Sequence, residues 1–138
     1  MVVDADGLNW LAQSPARRDD WVLTPHPGEA ARLLDSDVAD INYDRFAAVT
    51  AIARQYGGVA VLKGAGTLIS DGRDCRVCTE GNPGMASGGM GDALTGLIAG
   101  FRAQGFDALT AACLGVQVHA RAADRAAVDG ERGLLAGD

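Results

Sequence analysis

From Asn82 to Asp92 the chain reads Asn-Pro-Gly-Met-Ala-Ser-Gly-Gly-Met-Gly-Asp, a glycine-dense turn that ends on one carboxylate and runs directly into an apolar-periodic segment. Leu94, Leu97, Ile98 and Phe101 recur at helical spacing over residues 92–104, which puts the turn at a helix N-terminus. Four glycines in eight residues, Gly84, Gly88, Gly89 and Gly91, open backbone conformations closed to other residues and let a ligand approach the main chain. Amides converging there, with the positive end of the helix dipole behind them, favour a phosphate or a developing oxyanion. Asp92 is well placed for the dipole, yet it would repel a bound phosphate unless a hydroxyl proton or a metal ion lay between them. The combination points to a base facing the reacting end of a phosphoryl donor; the plainer alternative is a glycine-rich corner between two elements.

Two familiar phosphate motifs do not account for the turn. A Walker A loop needs Gly-Lys and then Ser or Thr at the helix start, whereas Gly91 is followed by Asp92 and the only lysine, Lys63, lies far upstream. A dinucleotide fingerprint needs a third small residue, but Gly89-Met90-Gly91-Asp92-Ala93 continues with Leu94, and no clean strand precedes it.

Around the turn the pattern alternates between strand and helix in the manner of an α/β sheet. Val2-Val3 reads as a buried strand ending at Asp4-Ala5-Asp6, followed by a short helix through Leu8 and Leu11. A second strand, residues 21–23, breaks at Thr24-Pro25-His26-Pro27-Gly28-Glu29, where Pro27 can occupy the first turn of a helix over residues 30–34. A longer helix over residues 42–56 should bury Phe46, Val49, Ile52 and Ala53 and stop at Gly57-Gly58. The continuously apolar run 59–62 is a strand that delivers Lys63-Gly64-Ala65-Gly66-Thr67 at its C-terminal end, where open α/β sheets hold ligands. Residues 67–70 and 76–79 form a hairpin around Asp71-Gly72, and Asp107 caps a last long helix reaching about residue 128.

At 138 residues the chain is one domain at most, with 48% hydrophobic and 22% charged residues, a globular composition. A net charge of −6 with both signs interspersed argues against a nucleic-acid or anionic-membrane surface, so a phosphate site must be local. The apolar runs fall short of membrane-spanning length and the start lacks the marks of a signal peptide, which makes the cytoplasm the default expectation. Cys75-Arg76-Val77-Cys78 does not open a helix, and residues three apart on a strand face opposite ways, so these two and Cys113 are expected to be ordinary reduced thiols. Met1 leads straight into a core strand and the chain stops at Gly133-Leu134-Leu135-Ala136-Gly137-Asp138, where a further helix is expected; the reading is of a fragment.

Four segments taken together, Asp4-Ala5-Asp6-Gly7-Leu8-Asn9, Leu23-Thr24-Pro25-His26-Pro27-Gly28-Glu29, Leu62-Lys63-Gly64-Ala65-Gly66-Thr67 and Gly81 through Asp92, resemble in order and spacing the ADP/ATP-dependent (S)-NAD(P)H-hydrate dehydratases. These belong to the ribokinase-like superfamily, as the carbohydrate kinase-like or YjeF C-terminal domain. The resemblance implies a three-layer α/β/α sandwich, of which residues 1–138 form the C-terminal portion, without the N-terminal strands, the last helix or the separate epimerase domain of some relatives. It also implies a repair reaction in which ADP, or ATP, is consumed with Mg2+ to remove water from hydrated NADH or NADPH (NADHX, NADPHX), ADP giving AMP and phosphate. A homotetramer is part of the same implication.

Carried onto this sequence, the resemblance makes Asp92 the general base at the substrate hydroxyl. Gly89, Met90 and Gly91 become the anion hole, with Gly91 also touching the nucleotide. Lys63, Gly64, Ala65, Gly66 and Thr67 line the nucleotide's site, and His26 contacts the hydrated nicotinamide. Asn82 is open between holding phosphate or magnesium and capping its own turn; His119, Asp4 and Asp6 receive no role. Two other readings stay in view: a ribokinase-like kinase for a hydroxymethylpyrimidine, pyridoxal or sugar alcohol, which the turn at His26 does not fit, and a non-catalytic nucleotide-binding fragment.

Overall fold

The computed structural model describes residues 1–130 and 132–138. Three parallel strands, β1 (Val2–Val3), β2 (Val22–Leu23) and β3 (Val59–Leu62), lie side by side in chain order, and β4 (Leu68–Ser70) and β5 (Cys75–Val77) extend the sheet antiparallel. Between β1 and β2 runs α1 (Asp6–Gln13); between β2 and β3 run α2 (Pro27–Leu33), α3 (Val38–Tyr43) and α4 (Arg45–Tyr56). After the hairpin come a 3-10 turn (Pro83–Met85), α5 (Met90–Ala103) and α6 (Ala108–Ala126).

Strand alternation sorts the core into two layers. Leu23, Ala60, Leu62 and Leu68 point to the face covered by α1 to α4, where Leu8, Val49, Ile52 and Tyr56 meet them. Val22, Val59, Val61 and Ile69 point to the other face and pack on Leu94 and Ile98 of α5 and Ala111, Ala112 and Val116 of α6. The expected three-layer α/β/α arrangement is therefore present, with β2, β3 and β4 buried on both sides, while β1, expected to be buried, is half-buried at one edge and β5 is largely exposed at the other. The same alternation separates the two cysteines of the C-x-x-C: Cys75 packs toward the first layer and Cys78 belongs to the second. All three cysteines are free thiols, and burial pushes Cys75 and Cys113 up, away from thiolate chemistry.

Two further sequence expectations change. The helix expected over residues 42–56 is two helices, because Asp44 leaves helical geometry (φ −139°, ψ 81°) and its carboxylate accepts the Ala47 amide at 2.9 Å, ending α3 and starting α4. Phe46 consequently falls in the first turn of α4 on the outer face and is 54% exposed, not buried. The shorter shifts, Trp21 lying just before β2 and the second hairpin strand beginning at Cys75, leave the topology as read. Among the described residues, no helix is long and apolar enough to cross a membrane.

Candidate active site

Parallel strands in sequential order deliver their C-terminal ends to one edge of the sheet, and that edge carries the site. β1 ends at Asp4, β2 at Thr24-Pro25-His26 and β3 at Lys63, stitched together by Thr24 N to Val3 O at 3.1 Å and Lys63 N to Pro25 O at 2.9 Å. Over this edge lies a cleft of about 570 Å³, lined among others by His26, residues 63–67, residues 78–83, Met90, Gly91 and His119. Three motifs far apart in sequence thus share one cavity.

The glycine turn reaches the cleft, and the helix begins at Met90, two residues earlier than the periodicity places it. Gly89 is the N-cap of α5 in left-handed geometry (φ 88°, ψ −16°), a conformation glycine adopts without a Cβ penalty. The first intrahelical bond is Ala93 N to Gly89 O at 2.9 Å, so the amides ahead of Ala93 belong to the helix terminus, whose first donors have no helical acceptor. Of the three expected anion-hole donors, Met90 N is turned back toward Ser87 O at 3.4 Å, a long contact that a better acceptor can displace. A Cβ on Gly91 would lie 3.4 Å from the Lys63 ammonium, so helix head and strand end approach through that glycine. Asp92 sits in the first turn of α5 and is exposed, beside the cleft mouth and not among its lining residues.

His26 serves two structural tasks at once. Its Nδ1 accepts from Gly28 N (3.0 Å) and Glu29 N (3.2 Å), capping α2, while Glu29 returns the bond by accepting His26 N at 2.8 Å. Since Nδ1 is an acceptor, the neutral ring carries its proton on Nε2, 3.5 Å from Glu29 Oε1. The ring stays half in solvent, with 51% of the side chain exposed, and lines the cleft. Loop 63–67 is held from behind by Arg45, whose guanidinium donates to the carbonyls of Ala65, Leu62 and Lys63. Thr67 Oγ1 donates to Gly64 O at 3.2 Å. Asn82 takes the capping alternative: its Oδ1 accepts Gly84 N at 3.0 Å and its Nδ2 donates to Asp124 at 3.0 Å, so the side chain is engaged at both ends.

Beneath the cleft lining, Asp4, Glu29 and Thr95 gather around Lys63 in a grouping the sequence did not reveal. Asp4 accepts from Lys63 Nζ (2.8 Å) on one oxygen and from Thr95 Oγ1 (2.8 Å) on the other, and Glu29 lies 3.8 Å from the same ammonium. Burial pushes the Asp4 carboxyl up, but the Lys63 and Thr95 hydrogen bonds and the Lys63 charge outweigh it and hold the group below its ordinary value. His119, on the α6 wall, has a buried Nε2 without a partner among the described residues, and burial holds its pKa below the ordinary histidine value. The Ser87 hydroxyl is likewise buried and unpartnered. The orphaned His119 Nε2, in the lining of the glycine-rich cleft, fits a bound polar molecule. Among the described residues no group of three His, Cys, Asp or Glu side chains gathers to cage a metal ion; the residues present suit magnesium carried chiefly by phosphate oxygens and water.

Strand ends and a helix head converge on one cleft, as in open α/β sheets generally, and the likeness to solved structures makes this chain ribokinase-like in fold. The NAD(P)H-hydrate dehydratase family model matches residues 1–138, and the chain belongs to that family. It is 56% identical over 139 residues to the bifunctional NAD(P)H-hydrate repair enzyme of Coxiella burnetii, covering 99% of this chain and 28% of that protein. To the ADP-dependent (S)-NAD(P)H-hydrate dehydratase of Neisseria meningitidis it is 42% identical, over 100% of this chain and 50% of the relative. The ADP/ATP-dependent NAD(P)H-hydrate dehydratase of Bacillus subtilis, crystallised with ATP/Mg2+ and soaked with CoA, superposes with a TM-score of 0.85 at 32% identity, covering 98% of this chain and 50% of that one. The chain thus spans from a quarter to a half of the length of these relatives.

Proposed function

We propose that residues 1–138 form the C-terminal portion of an ADP-dependent (S)-NAD(P)H-hydrate dehydratase domain, the portion that carries phosphoryl transfer. The observation that carries the reading is the close approach of Gly91 to Lys63 at the strand edge, with exposed Asp92 in the same helical turn. ADP would supply the phosphoryl group when bound, and Mg2+ would offset the charge of its phosphates. Amides at the head of α5 face the transferred group, and the left-handed turn at Gly89 presents them without a side chain in the way. The Lys63–Thr67 loop, held in shape by Arg45, lines the nucleotide's part of the cleft.

Asp92 takes the proton from the hydroxyl of hydrated NADH or NADPH as that oxygen attacks the β-phosphorus of ADP and AMP departs; phosphate then leaves the ring carbon as the adjacent carbon gives up a proton, restoring the double bond of the reduced nicotinamide. His26, its ring fixed by the cap and lining the cleft, contacts the hydrated nicotinamide. Asn82 is left to hold its turn. A homotetramer goes with this reading on the strength of the family resemblance, and a cytoplasmic location goes with it as the default expectation of the sequence. The test is Asp92→Asn in the full-length enzyme, with ADP and NADHX, following recovery of the NADH absorbance and release of AMP. Turnover should fall by about 10²- to 10⁴-fold with ADP affinity retained. An active variant would remove Asp92 from the chemistry, and a wild-type enzyme that instead phosphorylates a pyrimidine or pyridoxal alcohol would replace the dehydratase with a kinase.

A further inference from the structure

We infer that Asp4 is a positioning residue that locks the head of α5 to the strand edge, acting through Lys63 and Thr95 without touching the substrate. The inference rests on the dehydratase reading for its kinetic test, though not for its geometry. The Asp4 side chain is 12% exposed and lies at the end of β1. Its two oxygens hold two different elements: Lys63 Nζ at the end of β3 and Thr95 Oγ1 in the second turn of α5, each at 2.8 Å. A carboxylate accepting on both oxygens fixes its partners in distance and direction, more tightly than a single bond does.

The position of this clamp is what gives it a role. A Cβ at Gly91 would sit 3.4 Å from Lys63 Nζ and 3.9 Å from Asp4 Oδ2, so the clamp lies directly beneath the amides that open α5. Lys63 is itself only 20% exposed and has a second carboxylate, Glu29, 3.8 Å away. The ammonium is therefore aimed by the protein before any ligand arrives. The same three side chains set where the Gly91 amide and Asp92 stand relative to loop 63–67. Among the described residues, Asp4 supplies the polar tie between the helix head and the end of β1, and without it Lys63 is free to turn toward Glu29.

Three variants of the full-length enzyme test this: Thr95→Val, Thr95→Ser and Asp4→Asn, with the double variant Asp4→Asn/Thr95→Val. Thr95→Val is nearly isosteric and removes only the bond to Asp4, so kcat per folded molecule should fall about tenfold, as for loss of a hydrogen bond to a charged group. Thr95→Ser, which keeps the hydroxyl, should stay within about threefold of wild type. Asp4→Asn should lose on the order of 10²-fold, the scale of a misplacement of about 1 Å, and the double variant should be no worse than Asp4→Asn, because Thr95 acts through Asp4. Amide exchange over residues 89–95 should quicken in Thr95→Val and Asp4→Asn alike. Wild-type kcat in Thr95→Val, or losses that multiply in the double variant, would overturn the inference, as would a lowered unfolding midpoint with kcat per folded molecule intact. A wild-type enzyme that fails to dehydrate NADHX sinks the dehydratase reading instead; the exchange measurement then still decides the clamp, with unchanged exchange overturning it.

Discussion

Two glycines two residues apart in the same turn should respond to alanine in opposite ways. Gly91 is the second residue of α5 and has ordinary helical geometry, so Gly91→Ala costs no backbone strain and gains up to about 1 kcal/mol of helix propensity. The new methyl, however, stands 3.4 Å from Lys63 Nζ at the cleft wall, filling the gap through which, on the dehydratase reading, a phosphoryl group would reach the amides. Displacing a ligand there by about 1 Å corresponds to a loss on the order of 10²-fold, or about 2.7 kcal/mol, in kcat/KM. Gly89 is held at φ 88°, where a Cβ costs about 1–2 kcal/mol, and its Cβ would also meet that of Ala136 at 3.3 Å. Gly89→Ala should therefore lower the urea midpoint by an amount equivalent to about 1–2 kcal/mol, while Gly91→Ala keeps or raises it. Both proteins are assayed for NADH recovery with ADP and NADHX, and each rate is divided by the folded fraction. A Gly91→Ala enzyme of wild-type activity would show that nothing approaches the head of α5, and the phosphoryl-transfer reading would go with it.

Gly115→Ala tests the packing behind the site: a Cβ there would lie 2.5 Å from Ile98 Cγ1 and 3.2 Å from Ile98 N, so α5 and α6 must separate, and chemical denaturation should show about 1–3 kcal/mol of destabilisation. Two groups set separate pH windows. Burial holds folded His119 below its ordinary 6.5, so the unfolded chain takes that proton first on acidification; stability from this source is full above pH 6.5 and declines below it, and His119→Gln should flatten that part of the curve in urea titrations at a series of pH values. Asp4, held below its ordinary 3.8, contributes above that pH and loses its contribution as pH falls further through the folded value, a loss that Asp4→Asn should abolish.

What could be read from the chain, and what could not, divides by sequence distance. The glycine turn, the proline-stiffened turn at His26 and the strand that delivers Lys63 each announce themselves within a dozen residues, because turn chemistry and periodicity are local. Asp44 was hidden inside an apolar-periodic run, where an acid followed three residues later by alanine looks the same whether it caps a new helix or rides on an old one. Phe46 was misplaced for the same reason, since a break at Asp44 changes which face of α4 it occupies. The Asp4 clamp was out of reach altogether: its partners lie 59 and 91 residues away, and only the pairing of β1, β2 and β3 in parallel register brings them together. That distance has a physical consequence. A turn can form before the sheet does, but Lys63 and Thr95 can converge on Asp4 only once the strands are paired and α5 is seated, so the cleft floor is assembled by folding as a whole and the local motifs acquire their chemistry last.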